Sequence, residues 1–167
     1  YWRGQSKEGK AVDARILNTT SGAGLQGSIC QSNYAAAKAG IAALTLNQAA
    51  ELARYGITAN AVAPAARTNM TTAVPAMAER MAKPDDGSFD YFAPENVSSL
   101  LVWLGSAESS HVTGRVFEAE GGKISLADGW RLGPELDKGA RWEPAELKAA
   151  VDELIAKAVP PQKVYGT

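Results

Sequence analysis

Tyr34 and Lys38 lie four residues apart in the stretch Ser32-Asn33-Tyr34-Ala35-Ala36-Ala37-Lys38. On a helix that spacing puts both side chains on one face, one turn apart. An ammonium beside a phenol favours the phenolate, so the pair suits proton exchange with an alcohol oxygen near neutral pH. The positive end of such a helix would act in the same direction, with Ser32 as the expected cap. Thirteen residues before Tyr34 stands Ser21. Its hydroxyl, at the end of a strand, could donate to a developing alkoxide. Taken alone, the Tyr/Lys pair can arise by chance, and Ser21 also fits an ordinary turn serine.

These residues need a strand and a helix to hold them. Ala14-Arg15-Ile16-Leu17-Asn18-Thr19-Thr20 has the short apolar, β-branched character of a buried strand, after a polar start over residues 1–13. A turn with Gly22, Gly24 and Gly27 leads into an alanine-rich helix from Asn33 to Arg54, which Gly56 stops. Residues 57–63 read as a second strand closed by Pro64, which cannot donate to a ladder. Thr68 to Asp90 mixes three methionines with prolines and charges, as a partly helical, lid-like insertion would. Pro94 and Glu95 open a helix with Val97, Leu100, Leu101 and Leu104 as its apolar face. Residues 114–119 read as a third strand ended by Gly121-Gly122. A last amphipathic helix starts near Pro144, carries Leu147, Val151, Leu154 and Ile155, and stops before Pro160-Pro161. Alternating strands and helices imply an α/β fold with a parallel sheet.

Composition narrows the function. The chain has 167 residues, one Cys (Cys30) and one His (His111), so an internal disulfide and the usual zinc ligand sets are excluded, and no metal site is expected. A formal charge of −1 argues against nucleic-acid binding, and no apolar run approaches a membrane span. The chain starts at Tyr1 without an apolar signal core, which leads to the expectation of a soluble, cytoplasmic protein. No strand here is followed by a G-x-G-x-x-G loop, a helix and a downstream acidic residue. The pyrophosphate cradle of a dinucleotide fold is therefore missing, and a longer parent protein is expected.

The segments Asn18-Thr19-Thr20-Ser21-Gly22, Gln31 to Gly40 around Tyr34 and Lys38, Asn60-Ala61-Val62-Ala63-Pro64, and Thr113-Gly114-Arg115-Val116-Phe117 with Gly121-Gly122 occur in one order and spacing. In these the chain resembles the short-chain dehydrogenases/reductases over about residues 14–130. Pro64 to Thr71, Pro94-Glu95-Asn96-Val97 with Leu101 to Leu104, and Gly129-Trp130 further resemble the (3R)-hydroxyacyl-CoA dehydrogenase unit of peroxisomal multifunctional enzymes and its actinobacterial relatives.

The resemblance implies the C-terminal part of a Rossmann-like, doubly wound sheet with its N-terminal strands missing. Residues 1–130 would be a partial catalytic domain and residues 131–167 a tail with an amphipathic helix. It implies hydride transfer between NAD or NADP and a secondary alcohol or ketone, with an acyl-CoA or steroid-like substrate. Tyr34 would be the general acid/base, Lys38 would assist it and bind the nicotinamide ribose, and Ser21 would hold the substrate oxygen. Thr20, Pro64, Ala65, Ala66 and Thr68 would line the cofactor. A homodimer or homotetramer through the helix of Tyr34 and Lys38 is also implied. Two departures stand out: Ala65 and Cys30 occupy positions where many members have glycine. The competing reading is a catalytically incomplete fragment with a structural or assembly role.

Overall fold

Three apolar runs build the sheet in the computed structural model, which describes residues 1–166. β1 (Ala14–Thr19) pairs in parallel with β2 (Ile57–Ala65), Ala14 opposite Ile57 and Thr19 opposite Val62. β3 (Val116–Glu120) adds in parallel on the other side of β2, with Ala61 opposite Val116. A fourth strand, β4 (Lys123–Ala127), turns back antiparallel at Gly121, whose φ of 53° suits glycine. The order is β1-β2-β3-β4, so β1 forms one edge.

Side-chain alternation along β2 gives the sheet two faces to cover. Val62 packs with Val97, Leu100 and Leu104 of α6 (Glu95–Gly105) and with Ala119 of β3, forming the hydrophobic core. The alternate residues Ala59, Ala61 and Ala63 are buried and small, on the face where α3 (Ser32–Leu52) runs along the sheet. Thr45 and Ala49 are the buried residues of α3, and much of the rest of the helix is exposed, including Leu44 and Leu46. The expected apolar face of α6 is present as read from the sequence.

Pro64 does not close β2. It lies inside the strand, opposite Ala119. Ala61 N–H bonds to Arg115 in β3's direction, whereas Val62 carbonyl accepts from Thr20 on the β1 side, so residue 64 also faces β1's side. β1 has already ended there, and the missing N–H has no partner to disappoint.

Asn60 is completely buried within this apolar strand. Its Nδ2 donates to Val112 O (2.9 Å) and its Oδ1 accepts from Arg115 N (3.0 Å), which ties the loop before β3 to β2.

Short elements complete this unit. α1 (Trp2–Lys7) precedes β1, α2 (Gly22–Gln26) occupies the glycine-rich turn, and α4 (Asn69–Thr72) and α5 (Pro75–Arg80) occupy the insertion. Arg67 closes the base of that insertion. It pairs with Asp90, donates to Met81 O (2.9 Å), and its backbone N–H bonds to Phe92 O.

The chain divides into two compact units: Tyr1–Ala127 together with the segment beginning at Val164, and Asp128–Lys163. The second contains α7 (Pro144–Lys157), with Glu143 and Glu146 forming a capping box and Lys138 paired with Glu146. α7 buries none of its residues; Leu147, Val151 and Ile155 stay exposed. Among the described residues, no helix is long and apolar enough to cross a membrane.

Candidate active site

The backbone leaves β1 extended at Ser21 (φ −156°, ψ 150°) and turns at once into α2. Ser21 Oγ accepts from Ala23 N at 3.2 Å, the bond of an N-cap. That bond uses a lone pair and leaves the hydroxyl proton available to an outside acceptor.

α3 begins at Ser32, with Gln31 as an N-cap that makes no side-chain bond. Ser32 is thus the first helical residue and not the cap expected from the sequence. Just before it, Cys30 holds a left-handed conformation (φ 61°), the only non-glycine residue with positive φ among those described. This gives a backbone reason for the glycine common at that position in the resembling family.

Tyr34, 43% exposed, and Lys38 occupy one face of α3, with Lys38 Nζ 5.7 Å from the centre of the Tyr34 ring. The ammonium donates to Thr19 O at 2.9 Å. That carbonyl lies two residues before Ser21, so Lys38 is fastened to the end of the strand that carries the serine. A second fastening runs beside it: Thr20 Oγ1 donates to Lys38 O at 2.6 Å. Farther along, Asn18 Nδ2 donates to Thr45 Oγ1 and Gln48 Oε1. α2 reaches α3 as well, through Gly24 against the Lys38 backbone. Ser21, Tyr34 and Lys38 consequently share the carboxyl end of β1, the edge at which open α/β sheets bind ligands.

The remaining positions singled out in the sequence divide. Pro64 and Ala65 line a cleft with Gly22, Ala63, Glu118 and Glu120. Ala66 instead packs against the hydrophobic core. Thr68 caps α4 in a capping box with Thr71, whose hydroxyl accepts from Thr68 N at 2.7 Å. Thr20 is 2% exposed, and its hydroxyl is spent on Lys38 O, fastening the end of β1 to α3. His111 is exposed and meets Trp103 edge-on at 6.2 Å. Among the described residues, no group of three or more His, Cys, Asp or Glu side chains is placed to hold a metal ion.

Sequence reasoning missed Tyr165. It lines the same cleft, and burial together with the negative charges of Glu118 and Glu120 pushes its phenol up from the usual range. No pattern in the sequence marks it. The Arg67–Asp90 pair was likewise invisible, because it joins two residues across an irregular insertion.

Residues 5–123 match the family model described as Enoyl-(Acyl carrier protein) reductase. This chain belongs to the short-chain dehydrogenase/reductase family. The family is one of NAD(P)-dependent oxidoreductases, in agreement with the resemblance drawn from the motifs. Among its members, the chain is 40% identical to the hydroxyacyl-CoA dehydrogenase ChsB1 of Mycobacterium tuberculosis, covering 100% of this chain and 53% of the relative. It is 38% identical to the peroxisomal hydratase-dehydrogenase-epimerase of Saccharomyces cerevisiae over 65% of this chain and 11% of that protein. A crystal structure of a short-chain dehydrogenase from Mycobacterium avium superposes with a TM-score of 0.85 at 60% identity, covering 100% of this chain and 52% of the other. The chain therefore spans about half the length of ChsB1 and of the M. avium dehydrogenase. Actinobacterial and peroxisomal members were the relatives the motifs suggested.

Proposed function

We propose that this chain is the catalytic and substrate-side part of an NAD(P)-dependent dehydrogenase acting on a secondary alcohol or ketone, with 3-hydroxyacyl-CoA thioesters as the leading substrate class. The observation that carries the reading is the fastening of Lys38 to Thr19 O, which holds the ammonium one helical turn from Tyr34 and at the end of the strand that leads to Ser21. The name of the hydroxyacyl-CoA dehydrogenase ChsB1 supports the substrate class.

In the oxidative direction Tyr34, as phenolate, takes the hydroxyl proton while Ser21 donates to the same oxygen and holds it in place. Lys38 keeps its ammonium 5.7 Å from the centre of the Tyr34 ring, on the face of α3 that the two side chains share. A bound nicotinamide would supply the hydride acceptor for the alcohol carbon. In reduction the same proton returns from Tyr34 to the carbonyl oxygen.

The residues present suit such a cofactor. Lys38 spends one of its three donors on Thr19 O and keeps two for ribose hydroxyls. Gly22, Ala63, Pro64 and Ala65 present small side chains on one side of the cleft, which the Tyr165 ring also lines. Pro64 and Ala65 would face the nicotinamide, with Ala66 behind them and Thr68 at the far end. Strands that continue the sheet beyond the β1 edge would supply the pyrophosphate loop.

The test is absorbance at the nicotinamide band with the complete protein containing this chain and a 3-hydroxyacyl-CoA. Tyr34→Phe should lower kcat by about 10²-fold or more, the scale of a general acid/base. Turnover equal to wild type would refute the role of Tyr34.

A second reading, assembly through α3, is favoured by the exposure of Leu44 (48%) and Leu46 (53%) on a helix rich in small side chains. Sedimentation equilibrium should then find a dimer or tetramer that Leu46→Glu shifts towards monomer. A monomeric wild type at micromolar concentration would end this reading.

A further inference from the structure

The loop between Ser21 and Tyr34 is held by a segment from the other end of the sequence. Ser28 and Tyr165 form an isolated parallel bridge, with Ile29 N donating to Tyr165 O (3.0 Å) and Tyr165 N donating to Gly27 O (3.3 Å). Glycines on both sides permit the approach. A Cβ on Gly27 would lie 3.3 Å from the Val164 side chain, and one on Gly166 would lie 3.5 Å from that of Ile29. The bridge delivers the Tyr165 ring onto Gly22, the residue after Ser21; a Cβ there would stand 2.6 Å from Tyr165 Oη. Gln26 of α2 hydrogen-bonds the phenol. The ring also faces the cleft bounded by Pro64, Ala65, Glu118 and Glu120.

We propose that Tyr165 is a specificity-determining residue of the Ser21 site, its ring forming the cleft wall over Gly22 while segment 164–166 clamps the Ser21-to-Tyr34 loop. The inference rests on the dehydrogenase reading for its substrate, but the clamp is physical and can be observed without turnover. The neutral phenol keeps its proton among two carboxylates and so presents a hydroxyl donor to the substrate side. Its position bears on substrate placement, and proton transfer stays with Tyr34. Truncation therefore acts on KM far more than on kcat.

The complete protein containing this chain is compared with Tyr165→Ala and Tyr165→Phe by steady-state kinetics and by amide hydrogen exchange of residues 22–31. Tyr165→Ala should raise KM for a 3-hydroxyacyl-CoA about tenfold, keep kcat within about threefold, and speed exchange of the loop about tenfold. Tyr165→Phe should restore slow exchange, because the ring remains, while retaining part of the KM increase from the lost hydroxyl. An unchanged KM in Tyr165→Ala would overturn the assignment, whatever exchange shows. A wild-type protein without turnover on hydroxyacyl thioesters would sink the dehydrogenase reading. In that case unchanged exchange in Tyr165→Ala would overturn the clamp, and faster exchange would support it.

Discussion

Gly24 is the position at which one added methyl group should do the most damage. A Cβ there would stand 2.5 Å from the Lys38 carbonyl carbon and 2.6 Å from both Ala39 N and Lys38 Cβ. These atoms belong to the 21-residue helix α3 and cannot swing aside as a side-chain tip would. Relief to an ordinary carbon contact requires α2 and α3 to separate by about 1 Å, and overpacking of this kind costs about 1–3 kcal/mol. The displacement passes directly between Ser21, which caps α2, and Lys38. A misplacement of about 1 Å at reacting groups lowers turnover by about 10²-fold.

The assay is kcat and KM of Gly24→Ala in the complete protein, with denaturant midpoints measured alongside. Gly40→Ala is the control, since nothing lies within 4 Å of a Cβ added there on the same helix. It should gain about 0.5–1 kcal/mol from helix propensity and leave kcat unaltered. A Gly24→Ala protein with wild-type kcat and midpoint would refute the claim that this contact sets the spacing of the site.

Cys30→Gly should raise stability by about 0.5–1 kcal/mol in chemical denaturation, because glycine holds the left-handed conformation without a Cβ penalty. A loss of stability would mean that Cys30 contributes contacts that its exposure does not suggest. The hydrogen bond from Arg67 holds the Asp90 carboxyl below the usual carboxylate range. A depressed folded-state value makes the contribution complete above the unfolded value of about 3.9 and lost as pH falls through the folded one. Amide exchange over residues 68–89 should therefore accelerate on acidification below about pH 4, beyond the intrinsic trend, while Asp90→Asn should show fast exchange already at neutral pH. Equal protection in wild type and Asp90→Asn at neutral pH would exclude this pair as the closure of the insertion.

The parts legible in the sequence were those governed by local periodicity. The alanine-rich run fixed α3 to within two residues, because its helix-favouring composition and Gly56 bounded it, and Pro94-Glu95 marked the start of α6. β4 escaped notice because Lys123-Ile124-Ser125-Leu126-Ala127 is short, and its strand state comes from pairing with β3, not from its own composition. Pro64 misled for a related reason. Whether a proline interrupts a strand depends on which neighbour its missing N–H would have faced, a property of the sheet and not of the residue. Of the candidate site, Tyr34 and Lys38 followed from helix geometry. The fastening of Lys38 by Thr19 O and the burial of Thr20 depend on how α3 meets β1, which no spacing reveals. The Tyr165 contact lies at the far extreme of that scale, joining segments separated by most of the chain.

The backbone at Cys30 has a practical corollary. Within these residues there is a single thiol, it is exposed, and the backbone N–H of its neighbour Ile29 donates to the Tyr165 carbonyl. A fluorophore attached there through a maleimide would report on the loop from a point four residues before Tyr34, with no cysteine to engineer into or out of this chain. Its emission would follow, molecule by molecule, whether the two distant stretches of sequence stay joined while ligand comes and goes.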